Sequence, residues 1–347
     1  QAIHGKIVQA IETRYAGRLT EQAEQLAHHA QRANLGRKCV EYLRAAGEKA
    51  LQRSAYRSAI DYLQRALTYF HEQASNGDAM DDEARICIAL GHALIPIEGA
   101  ASEEVANSYS RALDLCERTG DVLNTIPALW GLWYSNFYRG HHVHAHELAK
   151  KALDLAEKTA QPDLMLEGNH AMWTSLVGLG RTAEAMEHCR RGLALPIDSD
   201  DHLWWRYTSH HPGVCCRSFL CVACWILGQP DQAGAWVQES VKVAEAISHD
   251  LSNVQALYHA AFVEFHLGKF DRVAERVHQI IEYKRTHGFL TWAPRAGILR
   301  AAILLEQGKE GEALALAEES ISETSRLRMN SWVEIFGASV LARIYAR

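Results

Sequence analysis

The sequence predicts an all-α protein, built as a right-handed solenoid (a superhelix) in which antiparallel helix pairs stack one on the next. Three observations lead to this fold class. The chain of 347 residues has only 7 prolines and lacks long stretches of Val, Ile and Thr, which favours helices over strands. Glycines recur with a period close to 40 residues, and the residues after each glycine keep the same phase. The chain is also longer than one ordinary compact core, a limit that does not apply to a stacked array.

The repeating glycines mark the predicted turn of each helix pair. They are separated by 40, 48, 40 and 40 residues, and are Gly140, Gly180, Gly228, Gly268 and Gly308. Glycine ends a helix well because it adopts the left-handed conformation at low cost. Five positions after each glycine comes Ala145, Ala185, Ala233, Val273 or Ala313. A small residue there lets the second helix of the pair approach the first closely, so each repeat predicts two helices joined at the glycine.

The elements follow in order along the chain. Residues 1–72 are predicted to form N-terminal helical pairs, and the polar segment 73–82 is predicted to be a linker. Residues 83–195 and 213–347 are predicted to be repeat units of one continuous solenoid, with about seven or eight helix pairs in the whole chain. The eight extra residues of the long interval fall in 196–212, PIDSDDHLWWRYTSHHP, which is predicted to be an insertion rich in aromatic residues and histidine.

Composition excludes several classes of function. The chain has 36 Lys and Arg against 42 Asp and Glu, a net charge of −6, and no basic block. This argues against binding to nucleic acid or to an anionic membrane surface, and no apolar run is long enough to span a bilayer. The 8 scattered cysteines favour a reducing, cytoplasmic setting. Because the chain begins at Gln1 inside a helical pattern, we expect it to be part of a longer polypeptide.

Motifs for catalysis are absent from the sequence. The pairs Gly5-Lys6, Gly268-Lys269 and Gly308-Lys309 lack the following Ser or Thr and the earlier glycine of a phosphate-binding loop. No G-x-G-x-x-G, G-x-S-x-G or H-E-x-x-H motif occurs, and local spacing assembles no nucleophile with a base and an orienting group. We therefore predict that this chain is not an enzyme and that it holds no cofactor.

Two clusters of potential metal or thiol chemistry have a simpler interpretation. Residues 141–146, HHVHAH, lie at a predicted turn, where polar side chains face water. Cys215, Cys216, Cys221 and Cys224 lie on one apolar helix, where free cysteine packs as a small hydrophobic residue. Zinc sites need three or four converging ligands, so we predict no metal. A metal-dependent or thiol-dependent sensor stays an alternative.

The phase and length of the repeats resemble the tetratricopeptide repeat, in a long variant of about 40 residues. More narrowly, the chain is similar to the C-terminal repeat region, of the MalT-like type, found in bacterial predicted ATPases. The segments that carry this resemblance include Leu26–His29, Leu129–Trp133 and Trp225–Ala233, of which WILGQPDQA is the most specific. The family favours Asp before Pro212, where this chain has His211, and this difference puts an acidic role at that turn in doubt.

The resemblance implies a function for the chain. Proteins of this kind are often fused to class III adenylate or guanylate cyclase domains or to transcription-regulator modules. The expectation is a non-catalytic sensor arm that binds a protein or peptide and regulates ATPase or cyclase domains upstream in the same polypeptide. A scaffold for homo-oligomerisation, such as a homodimer, is an alternative.

Two surfaces are candidates for binding. In tetratricopeptide arrays the first helix of each pair lines the concave groove. Counting back from the small residue of each second helix assigns to this groove Trp130, Tyr134, Tyr138, His170, Thr174, Ser218, Tyr258, Phe262, His266 and Arg295. The insertion contributes a second candidate surface at Trp204, Trp205, Tyr207, His210 and His211, which either binds a partner or packs between repeats.

Overall fold

The computed structural model describes residues 1–73, 80–195, 211–247, 249–287, 292–326 and 332–347. Within these ranges the regular secondary structure is helical and no strand occurs, which confirms the all-α prediction. None of the helices in these ranges combines the length and the hydropathy that a membrane span requires. The chain divides into two compact units, residues 1–132 and residues 133–347.

The described residues of the first unit form six helices and the beginning of a seventh. A short 3-10 helix at Leu19–Gln22 precedes the second of them. The helices are α1 (Ala2–Arg14), α2 (Ala23–Ala33), α3 (Arg37–Gln52), α4 (Tyr56–Gln73), α5 (Met80–Glu98), α6 (Glu103–Thr119) and α7 (Val122–Tyr138). Each helix from α1 to α5 packs against the one that follows it.

The second unit begins at Trp133, within α7, and continues with alternating first and second helices of a repeat. They are α8 (His142–Thr159), α9 (Pro162–Gly178), α10 (Thr182–Ala194), α11 (Pro212–Ile226), α12 (Pro230–Ile247), α13 (Asp250–His266), α14 (Phe270–His287), α15 (Ala293–Glu306), α16 (Glu310–Arg326) and α17 (Trp332–Tyr345). The predicted linker ends earlier than position 82, because α5 already begins at Met80. Its first turn carries Asp81, Asp82 and Glu83, whose charges suit the positive end of the helix dipole.

The turn inside each repeat of the second unit has one geometry. All five repeating glycines lie in these turns, with φ between 71° and 79°. After Gly228, for example, the N–H of Gln229 donates to the carbonyl of Cys224 at 2.9 Å, and the N–H of Gly228 donates to Trp225 at 3.0 Å. These two bonds form a Schellman motif, which satisfies carbonyls at the helix end and needs a residue with positive φ.

Packing separates the helices of the second unit into two layers. The first helices of successive repeats contact one another, α9 with α11, α11 with α13, α13 with α15 and α15 with α17. Each second helix packs into the angle between its neighbours, and the small residue five positions after the glycine is fully buried there, as at Ala185 and Ala233. The layer of first helices therefore presents one surface built from many parts of the sequence.

Candidate functional site

A cavity lies in the layer of first helices in the second unit. Its volume is about 60 Å³. Each of α7, α9, α11 and α13 contributes residues three or four positions apart, which lie on one face of a helix, and α15 contributes its first turn. The lining residues are Trp133, Tyr134, Phe137, Tyr138, His170, Thr174, Cys215, Phe219, Gln255, Tyr258, His259, Trp292 and Arg295.

Arg295 is the central charged group of this cavity. Its side chain is 5% exposed, and none of the described carboxylates lies within ion-pair distance of it. The guanidinium lies over the ring of Trp292, 4.7 Å from its centroid, and 6.0 Å from that of Tyr138. These cation–π contacts hold the charge in place and stabilise it partly. Among the described residues, the Nε of Arg295 has no hydrogen-bond partner.

Two neutral polar atoms of the same cavity also lack a partner in the part of the chain that the structure describes. They are Thr174 Oγ1 and Gln255 Oε1, on side chains that are 6% and 3% exposed. Buried polar groups are hydrogen-bonded in the great majority of cases, because leaving one unpaired costs about 1–3 kcal/mol. Three such atoms on residues that line one cavity make it the candidate binding site.

Three of the aromatic residues that line the cavity are uncharged at neutral pH. Burial raises the pKa of Tyr258, an effect that Arg295 partly offsets, so its hydroxyl stays protonated. Burial and the charge of Arg295 together lower the pKa of His259 to about 4, against a smaller opposing effect of its hydrogen bond with the carbonyl of Gln255, so this imidazole is neutral. Trp133 is fixed by a hydrogen bond from its Nε1 to Ser175 Oγ at 2.7 Å. On this side Arg295 therefore faces neutral aromatic rings.

His170 adds a second positive charge to the wall. Its Nδ1 lies 3.0 Å from Glu167 Oε2, and its Nε2 lies 3.2 Å from Cys215 Sγ. Burial opposes protonation, but Cys215 and Glu167 outweigh it and raise the pKa of His170 to about 10. The stability that this interaction contributes is complete below the ordinary value of 6.5 and is lost as the pH rises towards 10.

A larger cavity lies between α12, α13 and α14 and has the opposite character. Its volume is about 580 Å³, and its polar lining includes Glu245, Asp250 and Glu282. Among the described residues around it, no buried side-chain polar atom lacks a partner. It has the features of a solvated cleft between helices, so the smaller cavity is the candidate site.

The structure brings six of the ten predicted groove residues together in the small cavity. They are Tyr134, Tyr138, His170, Thr174, Tyr258 and Arg295. The other four lie elsewhere. Trp130 is 1% exposed and belongs to the first unit, and Ser218 is buried with its Oγ 2.9 Å from Ser240 Oγ. Phe262 and His266 belong to a second aromatic cluster, in which His266 stacks on Trp225 with ring centroids 4.1 Å apart.

Seven residues of the small cavity were not predicted from the sequence. On α11 it selected Ser218, whereas Cys215 and Phe219 line the site; on α13 it missed Gln255 and His259. Trp133, Phe137 and Trp292 were also missed. A helix turns by about 100° per residue, so a small phase error moves the selection to another face. A step of three residues from a predicted neighbour in the cavity would have found Phe137, Gln255 and Trp292.

The described part of the predicted insertion surface is His211, and it is buried. It occupies the N-cap position of α11, where its Nδ1 accepts a hydrogen bond from the N–H of Gly213 at 3.1 Å. Its own N–H donates to Ser252 Oγ at 2.8 Å. The imidazole thus caps α11 at the position where the family favours Asp, and it does so without an acidic group. Trp204, Trp205, Tyr207 and His210 lie outside the described residues.

The histidine cap predicts loss of stability in acid. Burial, with smaller effects of His249 and Arg217, lowers the pKa of His211 to about 4. As the pH falls from 6.5 to 4, the unfolded chain takes up a proton that the folded chain does not, which costs the fold about 3 kcal/mol at most. We expect His211→Asn to reduce this loss, because asparagine keeps the cap but does not titrate.

Urea unfolding followed by circular dichroism at pH 7, 5.5 and 4.5 measures this effect. His144→Asn, at an exposed position on α8, is the matched control and should leave the acid dependence unchanged. Equal losses of stability in acid for His211→Asn and the parent chain would contradict the assignment.

The two clusters weighed for metal or thiol chemistry do not form a metal site in the described structure. His142 packs on Phe137, with ring centroids 5.1 Å apart, while His146 Nε2 lies 3.4 Å from Arg181. The sulfurs of Cys216 and Cys221 donate to backbone carbonyls, and all eight cysteines are buried and free. No group of three or more ligating side chains among the described residues has the arrangement that a metal ion needs.

Comparison with solved structures identifies the fold. A Rap protein complexed with competence and sporulation factor has a TM-score of 0.62 at 12% identity, over 99% of this chain and 97% of that one. NprR in complex with its cognate peptide NprX has a TM-score of 0.59 at 13% identity, over 94% and 87%. The chain has the fold of tetratricopeptide-repeat proteins. The predicted α-solenoid of antiparallel helix pairs is thereby confirmed.

Two further comparisons concern longer proteins. A signal transduction ATPase with a tetratricopeptide-repeat sensor, from Pyrococcus horikoshii, has a TM-score of 0.54 at 11% identity, over 98% of this chain and 49% of that one. An uncharacterised protein of Rhizobium meliloti is 24% identical over 290 residues, which is 83% of this chain. The chain spans 28% of the length of that relative. No family model matches the chain. Fusion to ATPase or cyclase domains stays a prediction.

Proposed function

We propose that the chain is a non-catalytic sensor arm of a larger signalling protein, and that its second unit binds a peptide through a carboxylate. One observation carries this proposal: Arg295 is buried in a cavity with no carboxylate partner among the described residues. A buried charge without a counter-ion is costly, and removing the partner of a buried ion pair typically destabilises a protein by about 3–5 kcal/mol. A ligand that supplies the missing anion recovers much of that free energy as affinity.

The chemistry of the cavity favours a carboxylate as that anion. A guanidinium presents a planar set of N–H donors that matches a carboxylate. Thr174 Oγ1 and Gln255 Oε1 have no partner among the residues that the structure describes, so they are available to N–H groups of the ligand. Tyr134, Tyr138 and Trp292 add aromatic surface for apolar side chains. This mixture suits the end of a peptide chain better than an inorganic ion.

The comparisons support a peptide as the ligand class. The Rap protein and NprR have this fold; the Rap protein was solved with competence and sporulation factor bound, and NprR with its cognate peptide NprX. The ATPase of Pyrococcus horikoshii carries its repeats as a sensor. We infer the same arrangement here, with the chain regulating an ATPase or cyclase domain elsewhere in the polypeptide.

A ligand in this cavity touches five helices, and this suggests how binding is transmitted. Groups from α7, α9, α11, α13 and α15 meet around a space of about 60 Å³. A ligand that bridges them favours the arrangement of repeats in which all contacts form, and it shifts the population towards that arrangement by its difference in affinity. The change in repeat stacking is then the signal to the rest of the polypeptide.

Arg295→Met tests the proposal by moving binding and stability in opposite directions. We expect it to weaken binding at least tenfold, because a desolvated charge pair contributes about 2–5 kcal/mol. In the absence of ligand we expect the free energy of unfolding to rise by about 1–2 kcal/mol, because an unpaired buried charge is replaced by an apolar side chain. The probe is a library of short peptides, each made with a free C-terminal carboxylate and as the amide, and screened by fluorescence polarisation.

Arg300→Met is the matched control, since Arg300 lies on the same helix with its side chain exposed to solvent. It should leave both binding and stability unchanged. If free-acid and amidated peptides bind equally, or if Arg295→Met binds like the parent chain, the carboxylate site is wrong. If no peptide of either form binds, the proposed ligand class is wrong.

A further inference from the structure

Three side chains in and beside the cavity wall form a chain of polar contacts that the proposed function does not use. Glu167 and His170 lie one turn apart on α9, and Cys215 lies on α11. Glu167 Oε2 is 3.0 Å from His170 Nδ1, and His170 Nε2 is 3.2 Å from Cys215 Sγ. The three side chains are between 1% and 3% exposed. Local spacing does not show this set, because Cys215 lies 45 residues after His170 in the sequence.

The order of these groups matches that of an activated thiol. A cysteine becomes nucleophilic when a neighbouring imidazole takes its proton, and the imidazole is effective when a third group fixes its orientation. Here Glu167 fixes one ring nitrogen and leaves the other facing sulfur. The ring of His170 is also stacked on Trp173, with centroids 4.9 Å apart and planes inclined by 21°. The base therefore has little freedom to turn away from Cys215.

The other cysteines lack this environment. Cys216 Sγ donates to the carbonyl of Cys189 at 3.1 Å, and Cys221 Sγ donates to the carbonyl of Ser218 at 2.9 Å. A carbonyl does not remove the proton. Burial raises the pKa of Cys39 to about 11 and that of Cys116 to about 12, which keeps these thiols protonated. They serve as internal references for an unactivated buried thiol.

The cavity gives Cys215 a space that a small reagent can enter. Cys215 lines it together with Arg295 and Thr174, two buried side chains that each have an atom with no hydrogen-bond partner among the described residues. A volume of about 60 Å³ exceeds the roughly 10–15 Å³ that one water occupies by a comparable measure. A molecule the size of hydrogen peroxide fits there, whereas a bulky alkylating reagent does not.

We propose that Cys215 is a covalent modification site, at which the Glu167–His170 pair activates the thiol towards small hydroperoxides. The sulfur electron pair forms an S–O bond to one peroxide oxygen, and the O–O bond breaks. The leaving hydroxide takes the proton held by His170, so the products are water and a sulfenic acid. Sulfur is oxidised and the peroxide is reduced. Sulfenic acid formation is reversible by thiols.

The experiment compares cysteines within one chain. The native protein is treated briefly with hydrogen peroxide, quenched with catalase, and unfolded in urea with dimedone to trap sulfenic acids for mass spectrometry. We expect the yield at Cys215 to exceed that at Cys39 and Cys116 at least tenfold. Equal yields at the three positions would overturn the proposal. This comparison requires no peptide and no variant, so its outcome is independent of the ligand proposed above.

Variants then test the role of the pair. His170→Gln and Glu167→Gln should each reduce the yield at Cys215 at least fivefold while the yields at Cys39 and Cys116 stay unchanged. A rise at the two reference cysteines would reveal unfolding of a variant, in which case the within-chain comparison in the parent protein decides. A folded His170→Gln chain with the parental yield at Cys215 would show that His170 does not activate the thiol.

Discussion

Replacing Glu264 with glutamine is expected to lower the free energy of unfolding by about 3–5 kcal/mol. Glu264 on α13 and Arg276 on α14 form a buried ion pair, and the two residues are 1% and 8% exposed. Arg276 donates from Nε to Glu264 Oε2 at 2.5 Å and from an Nη to Oε1 at 3.1 Å. The amide keeps the shape of the carboxylate but removes its charge, so Arg276 is left buried with no counter-ion.

The neighbouring repeat supplies the control for this substitution. Glu264 lies four residues before Gly268, and Arg276 lies eight residues after it. In the next repeat, Leu304 and Leu316 occupy the same positions relative to Gly308. The double variant Glu264→Leu, Arg276→Leu copies this apolar pair. We expect its stability to lie close to that of the parent chain, because replacing both members of a buried pair with apolar groups is often neutral or stabilising.

Urea unfolding at pH 7, followed by circular dichroism, compares the three proteins. If the single variant Glu264→Gln were as stable as the parent chain, leaving Arg276 without a counter-ion would not lower the free energy of unfolding, and the prediction would be wrong. A double variant as unstable as the single one would mean that packing at this position, and not the uncompensated charge, explains the loss.

The fold was predictable because its signals are local. Each repeat needs a residue with positive φ where its first helix ends and a small residue where the second helix approaches, and both lie within six positions of each other, as at Gly180 and Ala185. Repetition of this short signal along the chain gives the architecture. The start of α5 at Met80 was missed because the acidic residues that favour a helix N-terminus also favour a polar linker.

The candidate site was predictable only in part because it is assembled from distant segments. Tyr134 and Arg295 line one cavity although they are 161 positions apart in the sequence. The spacing of apolar residues predicts which face of each helix is buried. It does not predict which turn of one helix packs against which turn of the next. For this reason Phe262 and His266, on the correct helix, lie in another aromatic cluster.

The Glu167–His170–Cys215 contacts illustrate the same limit. The spacing of Glu167 and His170 places them on one helix face and was visible in the sequence. The partner of His170 comes from 45 residues further on, across the segment 196–210 and in the next repeat. A nucleophile with its base at such a distance has no sequence signature, and only the packing of α9 against α11 brings them together.

Gly131→Ala is expected to destabilise the first unit by about 2–3 kcal/mol. Tyr109 of α6 is 1% exposed, and its ring lies between two glycines, Gly91 on α5 and Gly131 on α7. A Cβ on Gly91 would come within 2.7 Å of the ring, and one on Gly131 would come closer still, against three ring atoms. A ring held from both sides cannot move aside, so the helices must separate, which is the usual cost of overpacking a core.

A second glycine provides a control of opposite sign. Gly234 lies inside α12, and a Cβ there would meet no atom within 4 Å. Gly234→Ala should therefore raise the free energy of unfolding by about 0.5–1 kcal/mol, the difference in helix propensity between the two residues. Thermal and urea unfolding of both variants tests the pair of predictions. If Gly131→Ala were as stable as Gly234→Ala, the ring of Tyr109 would be able to move away from the added methyl group. The close approach of α5, α6 and α7 around that ring would then not be needed for the fold.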